Sequence, residues 1–154
     1  MAVTTNIPAK LVKSQVNGST VIDFDTDTLK CAIVQAGAGI PSTSKTGVQF
    51  VSDVTATNSE VAGAGYARQT LAGVTVAFGS GDDVDFSFSN VTFAQNASGF
   101  GNGRYAVILK DTGGADSANP VLAILDLNAT VSVTGGDLVL SSPAGGLIQW
   151  TKSP

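Results

Sequence analysis

Three aspartates alternate just ahead of an apolar run near the start of the chain. Asp23, Asp25 and Asp27 have the spacing of the first three ligands of a calcium-binding loop. Such a loop also needs glycine at its sixth position and a carboxylate at its twelfth, and Thr28 and Val34 stand there instead. The segment therefore predicts a solvated face or a turn, and no metal site.

Two glycine-rich segments match ligand-binding loops only in part. Residues 79–86 (GSGDDVDF) hold one copy of a calcium-binding nonapeptide pattern, which needs several stacked copies to form a site. In residues 37–46 (GAGIPSTSKT), Ser44 stands directly before the lysine, where a phosphate-binding loop requires glycine, and a strand-like run follows where it requires a helix. We expect an acidic hairpin turn in the first segment and no bound cofactor in either.

Side chains for nucleophilic catalysis are scarce. Histidine is absent, so no Ser–His or Cys–His pair can form. Cys31 is the only cysteine and lies in an apolar run, which predicts a buried thiol and excludes an internal disulfide. The sequence leaves a pair of carboxylates for glycoside chemistry open, because spacing along the chain says little about distance in space. We expect a protein that is not an enzyme.

The two arginines are the better candidates for a functional role. Arg68 follows Tyr66 by two positions, and Arg104 directly precedes another tyrosine. Arginine forms bidentate hydrogen bonds to carboxylates and is favoured at protein interfaces. Arg68, Arg104 and Tyr66 are therefore predicted interface residues. The alternative is that each arginine pairs with an acid on its own sheet, for example Asp53 or Glu60.

The charge composition narrows the class of function. Charged residues make up 13% of the chain, against about 25% in typical proteins. The net charge is −4 and the eight basic residues are scattered, which argues against nucleic-acid binding. No apolar run approaches the roughly 18 residues of a membrane span, and the first residues lack a signal-peptide layout, so we expect synthesis in a cytoplasm. A weakly charged, Thr-rich surface suits packing beside other proteins; the alternative is a monomeric domain with a polar, uncharged face.

The sequence pattern is that of strands nearly throughout. Short runs rich in Val, Ile, Thr and Phe recur between turn signals, and Gly or Pro interrupts almost every longer window. This predicts an all-β, single-domain antiparallel β-sandwich over residues 20–154, with residues 1–19 as an N-terminal arm or added hairpin. Strands are predicted at residues 11–16, 21–24, 28–35, 49–53, 70–78, 84–93, 104–111, 121–127, 130–134, 137–141 and 147–151.

Alternation and turn residues add detail to this fold. Val74, Val76 and Phe78 share one face, which we expect to point inward. Residues 121–127 are apolar on both faces, which predicts a central strand or one whose outer face is covered. Asn-Gly at 17–18 and Gly-Gly at 135–136 each predict a tight hairpin between the flanking strands.

Five short segments, in order, resemble a group of small virion proteins of tailed bacteriophages. The segments are residues 22–33 (IDFDTDTLKCAI), 60–71 (EVAGAGYARQTL), 82–86 (DDVDF), 104–108 (RYAVI) and 147–150 (LIQW). Residues 1–19 do not match the shorter, aromatic-containing start of that group. The resemblance implies a phage structural protein encoded among head and tail genes, without saying which part of the particle it forms.

Within that class we expect a capsid decoration (cement) protein that binds the major capsid protein on the outer head lattice. It would be a homo-oligomer, a trimer or a ring, located in the virion after assembly in the bacterial cytoplasm. The alternatives are a tail, collar or head–tail accessory component and, in another class, a carbohydrate-binding module. The last would need an exposed aromatic platform, for which Trp150, Tyr66 and Tyr105 are available.

Overall fold

Ten strands, two α-helices and one 3-10 helix make up the described part of the chain. The computed structural model describes residues 4–18, 21–37, 47–56, 58–78, 84–142 and 148–150. The elements are β1 (Thr4–Asn6), α1 (Ala9–Val16), β2 (Leu29–Gln35), α2 (Val51–Thr55), β3 (Gln69–Thr70), β4 (Thr75–Phe78), β5 (Val84–Ser87), β6 (Val91–Phe93), β7 (Gly103–Lys110), the 3-10 helix (Asp116–Ala118), β8 (Val121–Val131), β9 (Leu138–Leu140) and β10 (Ile148–Trp150). The prediction of an all-β single domain is confirmed.

The largest sheet has five antiparallel strands in the order β1-β8-β7-β2-β3, and both of its faces are covered. On β2, Cys31 and Ile33 belong to one hydrophobic cluster, whereas Ala32 and Val34 belong to another. The long strand β8 likewise contributes to both clusters. The prediction that residues 121–127 form a strand covered on both sides is therefore confirmed.

Different elements cover the two faces of this sheet. On one face, Val51 and Val54 of α2 pack against the central strands. Asp53 stabilises the start of α2, because its Oδ2 accepts hydrogen bonds from the backbone N–H groups of Gln49 and Phe50 at 2.8 and 2.9 Å. On the other face lie a three-stranded sheet, β10-β5-β4, and a two-stranded sheet, β6-β9, which give the sandwich-like arrangement.

Aromatic rings fill the layer between the sheets. Phe86 of β5 is fully buried and lies 5.0 Å, centroid to centroid, from Phe24. Phe93 of β6 and Phe100 meet edge to face at 6.0 Å. Tilted and edge-to-face contacts of this kind add about 0.5–1.5 kcal/mol each beyond the area they bury. Phe88 is buried in the same cluster as Phe86.

The predicted strand at residues 11–16 is wrong, because these residues form the end of helix α1. The segment is rich in good helix formers, namely Ala, Lys, Leu and Gln, and Pro8 occupies the position just before the first turn. Asn17 donates its N–H to Lys13 O, and Gly18 follows with a φ of +67°, as is typical of a helix C-terminus. The hairpin predicted at residues 17–18 is therefore also wrong. The division at residue 19 into an arm and a domain stays a prediction.

Several other strand boundaries differ from the prediction. Residues 21–24 are not a strand, because Asp23 accepts the backbone N–H groups of Asp25 and Asp27 and folds the chain into a turn. Residues 49–53 hold only an isolated bridge at Phe50 before α2 begins. The predicted runs 70–78 and 84–93 are each divided into two short strands. Residues 121–127 continue into 130–131 as the single strand β8, and residues 132–134 are not a strand.

The hairpin predicted at residues 135–136 is also wrong. Strand β9, which follows these glycines, pairs with β6, and the preceding strand β8 pairs with β1 and β7. The chain therefore crosses from the five-stranded sheet to the two-stranded sheet at this point. The predicted turn over residues 79–83 and most of the glycine-rich segment 37–46 lie outside the described residues.

Candidate interaction surface

Arg68 lies in an ion-pair network that joins three parts of its own chain. Its Nε donates to Glu60 Oε1 at 3.0 Å, while Nη1 and Nη2 donate to the two carboxylate oxygens of Asp116 at 2.8 and 2.9 Å. Glu60 forms a bridge to Val34 on β2, and Asp116 begins the 3-10 helix. These carboxylates raise the pKa of Arg68, and Arg68 in turn lowers the pKa of Asp116. This arrangement agrees with the alternative expectation for Arg68, in which the arginine pairs with an acid of its own chain such as Glu60.

Tyr66 joins the same network to the core. Its hydroxyl donates to Glu60 Oε1 at 2.7 Å and accepts the backbone N–H of Ile33 at 3.0 Å. The ring stacks on Phe93 and meets Phe100 edge to face, with centroids 6.0 and 5.5 Å away. Burial raises the pKa of Tyr66, with a further contribution from the hydrogen bond to Glu60. Tyr66 therefore ties the segment after Glu60 to β2 and offers no exposed aromatic platform.

Arg104 forms an ion pair between neighbouring strands. Its Nε lies 2.6 Å from Asp126 Oδ1 and its Nη2 lies 3.0 Å from Asp126 Oδ2, so the contact is bidentate. The guanidinium carbon also lies 5.9 Å from the ring centroid of Tyr105. The interface role predicted for Arg68, Arg104 and Tyr66 stays a prediction, and each of the three already has partners within the chain.

The two lysines of the central sheet are paired as well. Lys30 Nζ lies 2.6 Å from Asp111 Oδ2, and Lys110 Nζ lies 2.7 Å from Asp27 Oδ2. All the described cations on or next to the central sheet are therefore engaged in intrachain ion pairs. A partner that bound these cations would have to compete with their intrachain carboxylates. The uncharged parts of the described surface are therefore the better candidates for binding a partner.

The described residues offer no obvious chemical centre. No group of three or more His, Cys, Asp or Glu side chains among them could hold a metal ion. Within the same residues, no helix is long and apolar enough to cross a membrane. Burial raises the pKa of the Cys31 thiol, which is fully enclosed.

Strand β4 is the main exposed apolar feature of the described surface. It forms an edge of the three-stranded sheet, and all four of its residues, Thr75 to Phe78, are exposed. The side chain of Phe78 is 88% exposed and that of Val76 is 42% exposed. A phenylalanine this exposed is unusual in a folded domain, and the strand carries no charge.

The sequence prediction for this strand was wrong about burial, although it identified the face correctly. Val76 lies directly opposite Phe86 of β5, and opposite residues of an antiparallel pair share a face. Phe86 is fully buried on that face, so Val76 and Phe78 point to the core side of the sheet. The core ends at β5, and only Val74, just ahead of β4, is packed against it. No element within the described ranges therefore covers the inner face of β4.

Three further exposed valines lie on helix α1 and strand β9. Val12 and Val16 of α1 are four residues apart, one helical turn, and are 43% and 81% exposed. Val139 of β9 is exposed to a similar degree as Val12. These valines offer only apolar side chains, on a helix or in the middle of a short strand. β4 offers exposed apolar side chains together with the backbone groups of a sheet edge.

Comparison of the chain with models of protein families, with curated proteins and with solved structures found no significant match.

Proposed function

We propose that this chain is a non-enzymatic structural protein of a bacteriophage virion, and that it decorates the outer lattice of the head. The observation that carries the proposal is strand β4, an uncharged sheet edge whose inner face exposes Val76 and Phe78. The protein would act by lateral binding, contributing contact area between subunits of a symmetric particle.

The edge of β4 has the properties of a docking site, and its four described residues lack the usual protection against docking. A sheet edge presents unpaired N–H and C=O groups that template another strand, and monomeric proteins block such edges with Lys, Pro, bulges or inward-pointing charges. The sequence of β4, TVAF, contains no charge and no proline. Its regular pairing with β5 over all four residues shows no bulge. The edge is therefore open to pairing at little desolvation cost.

The ion pairs support a structural role in a second way. Because Arg68, Arg104, Lys30 and Lys110 are held by carboxylates of the same chain, the charged groups stabilise the domain itself. Ion pairs near the surface contribute little individually, about 0–1 kcal/mol, but these partly buried pairs connect loops and strands to one another. A rigid, weakly charged domain is suited to repeated contacts in a lattice, where multivalency supplies avidity.

Five segments of the chain resemble small tailed-phage virion proteins, and this resemblance supports the assignment of the chain to a phage particle. They span residues 22–150, and the second of them contains Glu60, Tyr66 and Arg68, which the fold brings together in one network. The resemblance is compatible with a head or a tail location. The head is preferred because a decoration protein binds as a separate folded domain that adds outward contacts to an existing lattice.

Counting copies in purified particles of the phage that encodes the chain tests the proposal. Quantitative mass spectrometry against the major capsid protein should find the chain at hundreds of copies per particle, as expected for a component that follows the symmetry of the head. A copy number of a few to a few dozen would replace head decoration with the tail or collar alternative. Absence from particles would overturn a virion role, and glycan binding by the isolated chain would then favour the carbohydrate-binding alternative.

A further inference from the structure

We propose that β4 pairs antiparallel with β4 of a second copy of this chain, about a two-fold axis that passes beside Ala77. The contact would join two three-stranded sheets into one continuous six-stranded sheet. The inference rests on the proposed function, because it names a second copy as the partner of the same exposed edge.

The hydrogen-bonding groups of the edge decide the shape of the partner. Among the described strands, β4 pairs only with β5, so the N–H and C=O groups of alternate residues on its other side face away from the sheet. An extended strand satisfies these groups in register, whereas a helix cannot. β4 is four residues long, whereas β3, at the far edge of the five-stranded sheet, has two residues and β9 has three. It is therefore the longest edge among these three strands.

Symmetry then restricts how two copies of β4 can meet. Residues directly opposite each other in an antiparallel pair lie on the same face, and a two-fold axis perpendicular to the sheet preserves the face. The axis must therefore pass between the two copies of one residue, which lie opposite each other. Centring the pair on Ala77 places Val76 of each copy opposite Phe78 of the partner subunit. Centring it on Val76 would leave Phe78 beyond the end of the paired region.

The arrangement centred on Ala77 is favoured because each exposed Val76 then packs beside the exposed Phe78 of the other copy, at two equivalent places. Val76 and Phe78 lie on the same face as the buried Phe86, so the second copy extends the inner face of the sheet where the core now ends. An aromatic side chain opposite a β-branched one stabilises paired strands by about 0.2–1 kcal/mol per pair. The small side chain of Ala77 lies at the axis on the opposite face, where it avoids a clash between the two copies.

The net charge of the chain restricts where two identical copies can meet. Each copy carries a net charge of −4, so two copies repel each other over most of their surfaces. The strand itself is uncharged and brings no like charges into apposition. The contact is small compared with a stable dimer interface of about 1,200–2,000 Å², so the dimer should be weak in dilute solution and gain strength in a lattice by multivalency.

Disulfide trapping of the full chain tests the register. In Ala77→Cys, the two new side chains face each other with Cβ atoms roughly 4.5–5.5 Å apart, within a small shift of disulfide geometry. In Thr75→Cys, which alters another exposed residue on the same face, the corresponding atoms lie about four residue steps, or roughly 13 Å, apart along the strands. Mild oxidation should give a covalent dimer of Ala77→Cys and little of Thr75→Cys. The wild-type chain serves as blank, because Cys31 is fully buried.

Sedimentation velocity over a range of concentrations tests the contact without a cross-link. Val76→Lys adds a charge to the edge and should abolish self-association, while Val16→Lys, a matched change at the exposed end of α1, should leave it unchanged. Circular dichroism confirms that both variants fold. Equal trapping of the two cysteine variants, or a monomeric wild-type chain at the highest concentration, would overturn the inference. Neither of these results would contradict the virion role if the chain is present in particles. Conversely, absence from particles would contradict the virion role but not a measured dimer.

Discussion

Replacing Tyr66 by phenylalanine removes one hydroxyl group and leaves the aromatic packing in place. That hydroxyl accepts the backbone N–H of Ile33 and donates to Glu60. Ile33 is fully buried in the central strand β2, so water cannot replace the lost acceptor. Glu60 keeps its hydrogen bonds from Arg68, so it loses only one of its donors.

The magnitude follows from the group that is left unpaired. A buried backbone N–H without an acceptor costs about 1–3 kcal/mol, which exceeds the roughly 0.5–1.5 kcal/mol net value of an ordinary hydrogen bond. We expect Tyr66→Phe to lower the free energy of unfolding by about 2 kcal/mol. For a domain of this size, that corresponds to a decrease in Tm of roughly 4–8 °C.

Urea denaturation followed by circular dichroism measures this change directly. Tyr105→Phe is the matched control, because Tyr105 is half-buried and lies beside the guanidinium of Arg104. The control should change the stability by less than about 0.5 kcal/mol, the usual range for a surface substitution. Equal effects of the two substitutions would refute the role assigned to the Tyr66 hydroxyl.

Three further predictions follow from the same structure. Gly63→Ala should destabilise the fold by about 1–3 kcal/mol in urea denaturation, because a Cβ there would lie 2.6 Å from backbone atoms of the neighbouring loop, whereas Gly135→Ala has open space and should be neutral. Asp116→Asn should reduce stability at pH 7 but not in strong acid: Arg68 lowers the pKa of Asp116 below 3.8, so its contribution is present above that value and is lost as the pH falls through the folded-state pKa. A fixed difference between the two proteins at all pH values would contradict this. Cys31 should not react with a thiol reagent until the chain unfolds, since burial raises its pKa.

The sequence predicted the fold class and the central strands because their patterns are strong and local. The predicted strands 28–35 and 104–111 correspond closely to β2 and β7, and the two-sided apolar run at 121–127 lies in the doubly covered β8. The errors fall where tertiary context decides. Residues 11–16 contain enough apolar residues for a strand, but their helix propensity prevails. The Gly-Gly pair at 135–136 predicts a hairpin, but the strand that follows it pairs with β6.

The candidate surface was less accessible to sequence reasoning. The sequence suggests Glu60 as a partner for an arginine, but it does not indicate Asp116 or Asp126. These acids lie 48 and 22 positions from Arg68 and Arg104, and only the folded chain brings them together. The alternation in β4 gave the correct face for Phe78. It could not indicate that the core ends one strand earlier, because that depends on how many strands cover the sheet.

The occupancy of particles by edge variants tests the central claim most directly. Under the proposed virion role, phage particles assembled with Val16→Lys should carry the chain at the wild-type copy number, whereas particles assembled with Val76→Lys should carry much less, because the charged edge would remove the proposed contacts of β4. Equal occupancy by the two variants would contradict the claim that the uncharged edge of β4 holds this protein in its assembly.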